Sequence, residues 1–255
     1  MIRLLIFFLI IILNTKYSFS RNIGETEITT EDGIEVFQEE KYYLLKKNVE
    51  ILSDELELNG QLVKIYFEKD LYDIKELIAN ENVSFISKQY NIKGKGDNVQ
   101  FIIKNQEIFI KGIKSELYLE NTKMFSDGKI TVDNLNGSFL IKGANSSLIR
   151  DDIYILGSKI NGSFQVIDGK RDIANLFVED EEKLNIKTDD IVMFSKKAIY
   201  NKKTSIIELF ENVEIYRGNE LITGDYGILD TKKNSYKVSS SNSNKVKAII
   251  LDSDE

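Results

Sequence analysis

From residue 34 onward the apolar residues recur at every second position in short runs, not at the three-and-four spacing of a buried helix face. In the segment 206–216, Ile207, Leu209, Val213 and Ile215 share one parity, while Glu208, Asn212, Glu214 and Tyr216 take the other. Val99-Gln100-Phe101-Ile102-Ile103 and Ile108-Phe109-Ile110 continue the theme around a Lys104-Asn105-Gln106 turn. Successive side chains of a strand point to opposite sides, so such a segment has one face in an apolar interior and one in water. Turn-forming clusters interrupt the runs at Glu39-Glu40, Asn91, Asp127-Gly128, Asn136-Gly137, Asn161-Gly162, Asp168-Gly169, Lys202-Lys203 and Lys232-Lys233-Asn234. Punctuation every ~8–12 residues predicts an all-β protein built from antiparallel hairpins. One stretch reads two ways. Leu71, Ile74, Leu77 and Ile78 fit a helix, but Tyr72, Ile74 and Glu76 also alternate, and a strand is favoured there.

An internal repeat accompanies the alternation. Asn48-Val49-Glu50-Ile51 precedes Gly60, Asn82-Val83-Ser84-Phe85 precedes Gly94, and Asn212-Val213-Glu214-Ile215 precedes Gly224, with the same Asn-to-Gly spacing each time. Each copy reads as a strand leaving a bulge at Asn, a turn, and a return strand that passes through a crowded glycine.

The amino terminus has a different pattern. Met1-Ile2-Arg3 leads into an unbroken apolar run from Leu4 to Leu13, followed by Ser18-Phe19-Ser20. That order is the one expected of a secretory signal peptide, here spanning residues 1–20 and cleaved after Ser20. The run is too short to span a bilayer, which takes about 20 apolar residues. An uncleaved anchor is the other reading.

Composition removes several chemistries. The chain of 255 residues has no His, Cys, Trp or Pro, so Ser-His-Asp triads, Cys-His pairs and Cys/His zinc sites cannot be built. Its 34 basic residues face 41 acidic ones, for a net charge of −7 with no basic block, which argues against nucleic acid as a partner. Asp151-Asp152, Asp189-Asp190 and Glu179-Asp180-Glu181-Glu182 invite an acid–base or calcium reading, and an enzyme acting on glycans through them is a third class of function. They lack the EF-hand pattern, and adjacent residues of a strand point to opposite faces, so solvated turns are the better reading. No catalytic residue, metal or cofactor is assigned.

The C-terminal copy of the repeat carries a resemblance. Ala198-Ile199-Tyr200, a turn, Ile207-Glu208-Leu209, Asn212-Val213-Glu214-Ile215, Thr223-Gly224-Asp225 and a closing strand at Lys245–Ile250 resemble the OstA-like repeat of the LptA/OstA-like family of periplasmic lipopolysaccharide-transport bridge proteins. The resemblance implies an elongated open β-jellyroll of two facing antiparallel sheets over residues 21–251. This is either one unit or two halves, 21–103 and 183–251, around a weakly matching middle, with residues 252–255 as an acidic tail. It further implies a periplasmic location and lipopolysaccharide as the ligand. Its implied partners are a membrane-anchored jellyroll protein on the inner membrane and a translocon on the outer one. Family members usually have Gly before the Asn-Val, where Lys47, Glu81 and Glu211 stand here. The residues expected to line a lipid groove are Val49, Ile51, Ile65, Phe67, Phe101, Ile103, Phe109, Phe139, Ile207, Leu209, Val213 and Ile215. Ile34, Val36, Val246, Ala248 and Ile249 are expected on edge strands that join copies head to tail. The alternatives are the membrane-anchored jellyroll partner of the same pathway, or a β-repeat protein with a purely structural role and no lipid.

Overall fold

A computed structural model describes residues 21–69, 73–167, 170–241 and 245–250. The expected leader and acidic tail lie outside the described residues, as do Leu71 and Tyr72 of the ambiguous stretch. The described part of that stretch is strand.

The strands are β1 (Glu27–Thr29), β2 (Ile34–Phe37), β3 (Tyr42–Leu52), β4 (Leu56–Phe67), β5 (Ile74–Ser87), β6 (Ile92–Ile102), β7 (Glu107–Lys111), β8 (Ser115–Leu119) and β9 (Thr122–Ser126). They continue with β10 (Lys129–Asp133), β11 (Ser138–Arg150), β12 (Ile153–Ile167), β13 (Lys170–Lys187), β14 (Val192–Asn201), β15 (Ile206–Arg217), β16 (Glu220–Asp230), β17 (Ser235–Ser239) and β18 (Lys247–Ile250). The pairings are antiparallel and join mostly chain neighbours, as in a meander. The all-β expectation holds through the middle of the chain as well as at its ends.

Each long strand is interrupted near its centre. The ladder skips between Lys46 and Val49 in β3, Asn80 and Val83 in β5, Lys142 and Ser146 in β11, Glu179 and Leu184 in β13, and Phe210 and Val213 in β15. Where the skip becomes a full break, two short strands replace one long strand, as with β7 and β8 on β6, or β17 and β18 on β16. The breaks fall in line and form a seam. On one side of it lies a first layer, which runs from β2 to β17 and turns at 38–41, 103–106, 134–137, 202–205 and 231–234. On the other lies a second layer, which runs from β1 to β18 and turns at 53–56, 88–91, 120–121, 151–152, 188–191 and 218–219. The layers fold toward each other about the seam, so both rows of turns face the opposite, open side.

The seam sets the backbone conformation of the residues that precede each Val of the repeat. Lys47 and Asn48 have φ of 68° and 49°, Glu81 and Asn82 of 63° and 53°, and Glu211 and Asn212 of 64° and 55°. Both members of each pair occupy the left-handed region, where Asn is tolerated and Lys or Glu carries strain. The register corrects the glycine repeat in one copy. Val49 faces Gly60 and Val213 faces Gly224, but Val83 faces Gly96, while Gly94 sits opposite Phe85.

The inner faces of the two layers meet in one continuous core, with Leu45, Val63, Ile110, Ile130, Ile160 and Leu209 from the first layer against Leu58, Leu117, Met124, Leu184 and Met193 from the second. Two predicted inward residues do not belong to it. Ile103 follows the end of β6 in the turn and is 50% exposed. Phe109 lies between buried Ile108 and Ile110 on β7, so the pleat turns it to the outer face, where it is half-buried. The unbroken apolar run of Ile108, Phe109 and Ile110 hides that parity.

Candidate functional site

The β12–β13 hairpin is longer than its neighbours and changes direction near its tip. Its register shifts between Ser163 and Phe164. Phe164 N–H donates to the Gly137 carbonyl at 2.7 Å, and its ring lies 4.8 Å from that of Phe139. Beyond this bend the returning strand reaches across the open side. The Arg171 guanidinium donates to Asn134 Oδ1 at 2.7 Å in a first-layer turn and lies 5.8 Å from the Tyr90 ring in a second-layer turn. The Arg171 backbone N–H donates to Glu120 Oε1 at 3.0 Å. Burial lowers the pKa of Arg171, and Glu120 and Tyr90 oppose the shift. The start of β13 at Arg171 is therefore a strap joining the two layers over the middle of the molecule.

On the C-terminal side of the strap the layers part around a cavity of about 450 Å³, within the usual size range of small-ligand sites. Its floor is apolar and comes from both layers: Ile173, Val178, Ile207 and Leu229 from the first, Leu148 and Ile155 from the second. Its mouth is polar and lined by Arg150, Asp151, Asp152, Asp189, Asp190 and Lys202.

Cross-layer polar contacts bound the mouth at both ends. Beside the strap, Arg150 Nη1 of the second layer lies 2.6 Å from Asp172 Oδ1 of the first, with side chains 15% and 17% exposed. Lys202 Nζ is 3.6 Å from the other carboxylate oxygen. At the far end, Asn234 Nδ2 donates to Asp190 Oδ2 at 3.2 Å, and the Arg217 guanidinium lies 3.3 Å from the same oxygen. Between them Tyr200 lines the wall. Its burial pushes the phenol pKa up; Asp172 adds to the shift and Arg150 opposes it. The arrangement offers an apolar slot beneath a ring of charge, which suits an amphiphile. Among the described residues no cluster of acidic side chains is arranged to hold a metal ion.

Of the predicted groove residues, Ile207 lies against this cavity. Val49, Ile51, Ile65, Phe67, Phe101 and Phe139 are buried in the packed interior elsewhere, as are Leu209, Val213 and Ile215. Most of the lining comes from β11 to β14; β11, β12 and most of β13 lie in the weakly matching middle, whereas Ala198 and Tyr200 of β14 belong to the C-terminal copy. Alternation at Ile153-Tyr154-Ile155 and Leu184-Asn185-Ile186 marks inward faces there, but not which of them line a space. The predicted edge residues do lie at the ends. Among the described residues β2 pairs only with β3, and β18 only with β16. Ile34 lies opposite buried Leu45, on the inner face, yet is 49% exposed because no further strand covers it. Val36, Val246, Ala248 and Ile249 are exposed as well. The missed edges are β17, which closes the first layer at the C-terminal end, and β1, which closes the second layer at the N-terminal end.

No protein-family model matches the chain, and no curated protein does. Among solved structures, the chain is similar to the crystal structure of LptH from Pseudomonas aeruginosa, described as the LptA-homologous periplasmic component of the conserved lipopolysaccharide transport device. The TM-score is 0.43 at 11% identity, over 50% of this chain and 95% of that one.

Proposed function

We propose that this protein binds the acyl part of a lipopolysaccharide-type amphiphile between its two layers and passes it along a periplasmic bridge. The observation that carries the reading is the apolar cavity opening beneath a charged mouth. Each methylene moved from water into such a slot is worth about 0.8 kcal/mol, so a chain long enough to fill it binds without further contacts. A cavity this small takes one chain, not a bundle, which keeps the complex reversible. The bridge reading adds the uncovered inner faces at both ends, where one copy's β17 and β18 can extend the layers of the next through β1 and β2. An inner-membrane anchored jellyroll and an outer-membrane translocon are the partners the sequence resemblance supplies for the two ends of such a row.

The test is site-specific photo-crosslinking to lipopolysaccharide. A photoreactive side chain at Leu229 or Ile207 should give a lipid adduct, and one at Leu58, in the packed interior, should not. Adducts at all three positions, or at none, would overturn the reading.

A further inference from the structure

The two lips of the cavity carry opposite charge. The first-layer turns 202–205 and 231–234 carry Lys202, Lys203, Lys232 and Lys233, and the second-layer turns 151–152 and 188–191 carry Asp151, Asp152, Asp189 and Asp190. Half of these charges are already engaged. Asp151 accepts from Asn121 and lies beside Arg150, Asp190 accepts from Asn234, Lys202 lies beside Asp172, and Lys233 lies beside Asp230. Lys203, Lys232, Asp152 and Asp189 are exposed, and their side-chain charges enter no ion pair among the described residues. Asp152 and Asp189 line the cavity itself, and Lys203 and Lys232 stand in the first-layer turns next to the lining residues Lys202 and Thr231, so two free negative charges flank one side of the apolar slot and two free positive charges the other.

We infer that this mouth selects an amphiphile with a zwitterionic head, its anionic group toward the lysine lip and its cationic group toward the aspartate lip. The inference rests on the acyl-binding reading of the cavity and adds the chemistry of the head. A head with a single sign of charge is attracted by one lip and repelled by the other, so its Coulomb terms largely cancel. A head with both signs gains from each lip, and a phosphate substituted with an amine is the simplest lipid head of that kind. At contact distance in water each such pairing tightens binding by roughly fivefold, and salt screens it.

Four amphiphiles with one dodecyl tail test this by calorimetric titration below their micelle-forming concentrations: dodecylphosphocholine, dodecyl phosphate, dodecyltrimethylammonium and dodecyl maltoside. At low salt the phosphocholine should bind roughly tenfold tighter than either singly charged head, and the advantage should vanish in about 1 M salt. Asp152→Asn with Asp189→Asn should shift the preference toward the phosphate, and Lys203→Gln with Lys232→Gln toward the ammonium. These are exposed turn residues, and circular dichroism confirms that each variant is folded. Equal binding of all four, or the phosphate binding tightest to the unaltered protein, overturns the headgroup inference alone. No binding by any of them overturns the acyl-binding reading with it.

Discussion

Arg150 and Asp172 are 22 residues apart in sequence and lie on opposite layers, yet their charged atoms meet at 2.6 Å where the strap borders the cavity. Both side chains are largely withdrawn from water, so each draws mainly on the other for compensation. Replacing one partner leaves the other charge with only its longer and more exposed contact, Asp151 for Arg150 or Lys202 for Asp172. Asp172→Ala should cost about 3 kcal/mol of unfolding free energy by urea titration. The Arg150→Ala, Asp172→Ala double variant should lose less than the sum of the two single changes. Additive losses would show that the pair does not tie the layers together.

The seam gives a prediction of opposite sign. Glu81 is exposed, has φ of 63° and makes no ion pair among the described residues, unlike Glu211, which lies 2.9 Å from Lys197. Glycine adopts this conformation without the Cβ penalty, although it loses more freedom on folding. Glu81→Gly should therefore raise stability by roughly 0.5–1 kcal/mol in denaturant titration, and Glu211→Gly should gain less.

Gly162 marks a place where only hydrogen fits. A Cβ built there would lie 2.1 Å from Cζ of the Phe139 ring. Gly162→Ala should cost about 1–3 kcal/mol through displacement of that ring and of the strap base beside it. Adding Phe139→Leu should restore part of the loss, measured as the midpoint of thermal unfolding.

Tyr226 supplies a pH signature. Its hydroxyl bonds Glu208 Oε2 at 2.5 Å, and that bond, followed by burial, pushes its pKa up to about 12. The native state therefore holds the phenolic proton more tightly than the unfolded chain, where it leaves near pH 10. The stabilisation is complete below about pH 10 and is lost as pH rises toward 12. Phenolate absorbance should show this tyrosine titrating last, and Glu208→Gln should bring it back toward the others.

End-to-end association should depend on the exposed inner faces. Sedimentation should show assemblies growing with concentration, and Val246→Lys, Ala248→Lys and Ile249→Lys together should abolish that growth. Ile34→Lys with Val36→Lys should block the other end. A mixture of the two variants should stop at dimers, since one sound end remains on each.

The layer architecture was legible because alternation reports which side of a strand is buried, and a meander needs little more. Ile207, Leu209, Val213 and Ile215 are all inward as read. The rule failed at Phe109, where three successive apolar residues leave the parity undetermined, and at Ile103, where the strand stops one residue short. The candidate site was mostly illegible. Its floor joins residues from Leu148 to Leu229 that share nothing local, and an inward residue against a void has the same pattern as one against a neighbour. The lips were visible as charge pairs, but Asp189-Asp190 and Lys232-Lys233 acquire a relationship only when the seam brings their turns to the same side. The strap was hidden for a related reason: Phe164 and Arg171 continue an ordinary hairpin, and the bend at Ser163 is imposed by packing on Phe139.

The seam also makes length a free variable. Each hairpin carries its own break at the seam, pairs mainly with the hairpins before and after it, and presents the same kind of flank on either side. A gene that duplicates or deletes one such unit leaves both terminal flanks able to dock as before. On the proposed bridge reading, reach could then be adjusted within a single polypeptide without recruiting more subunits.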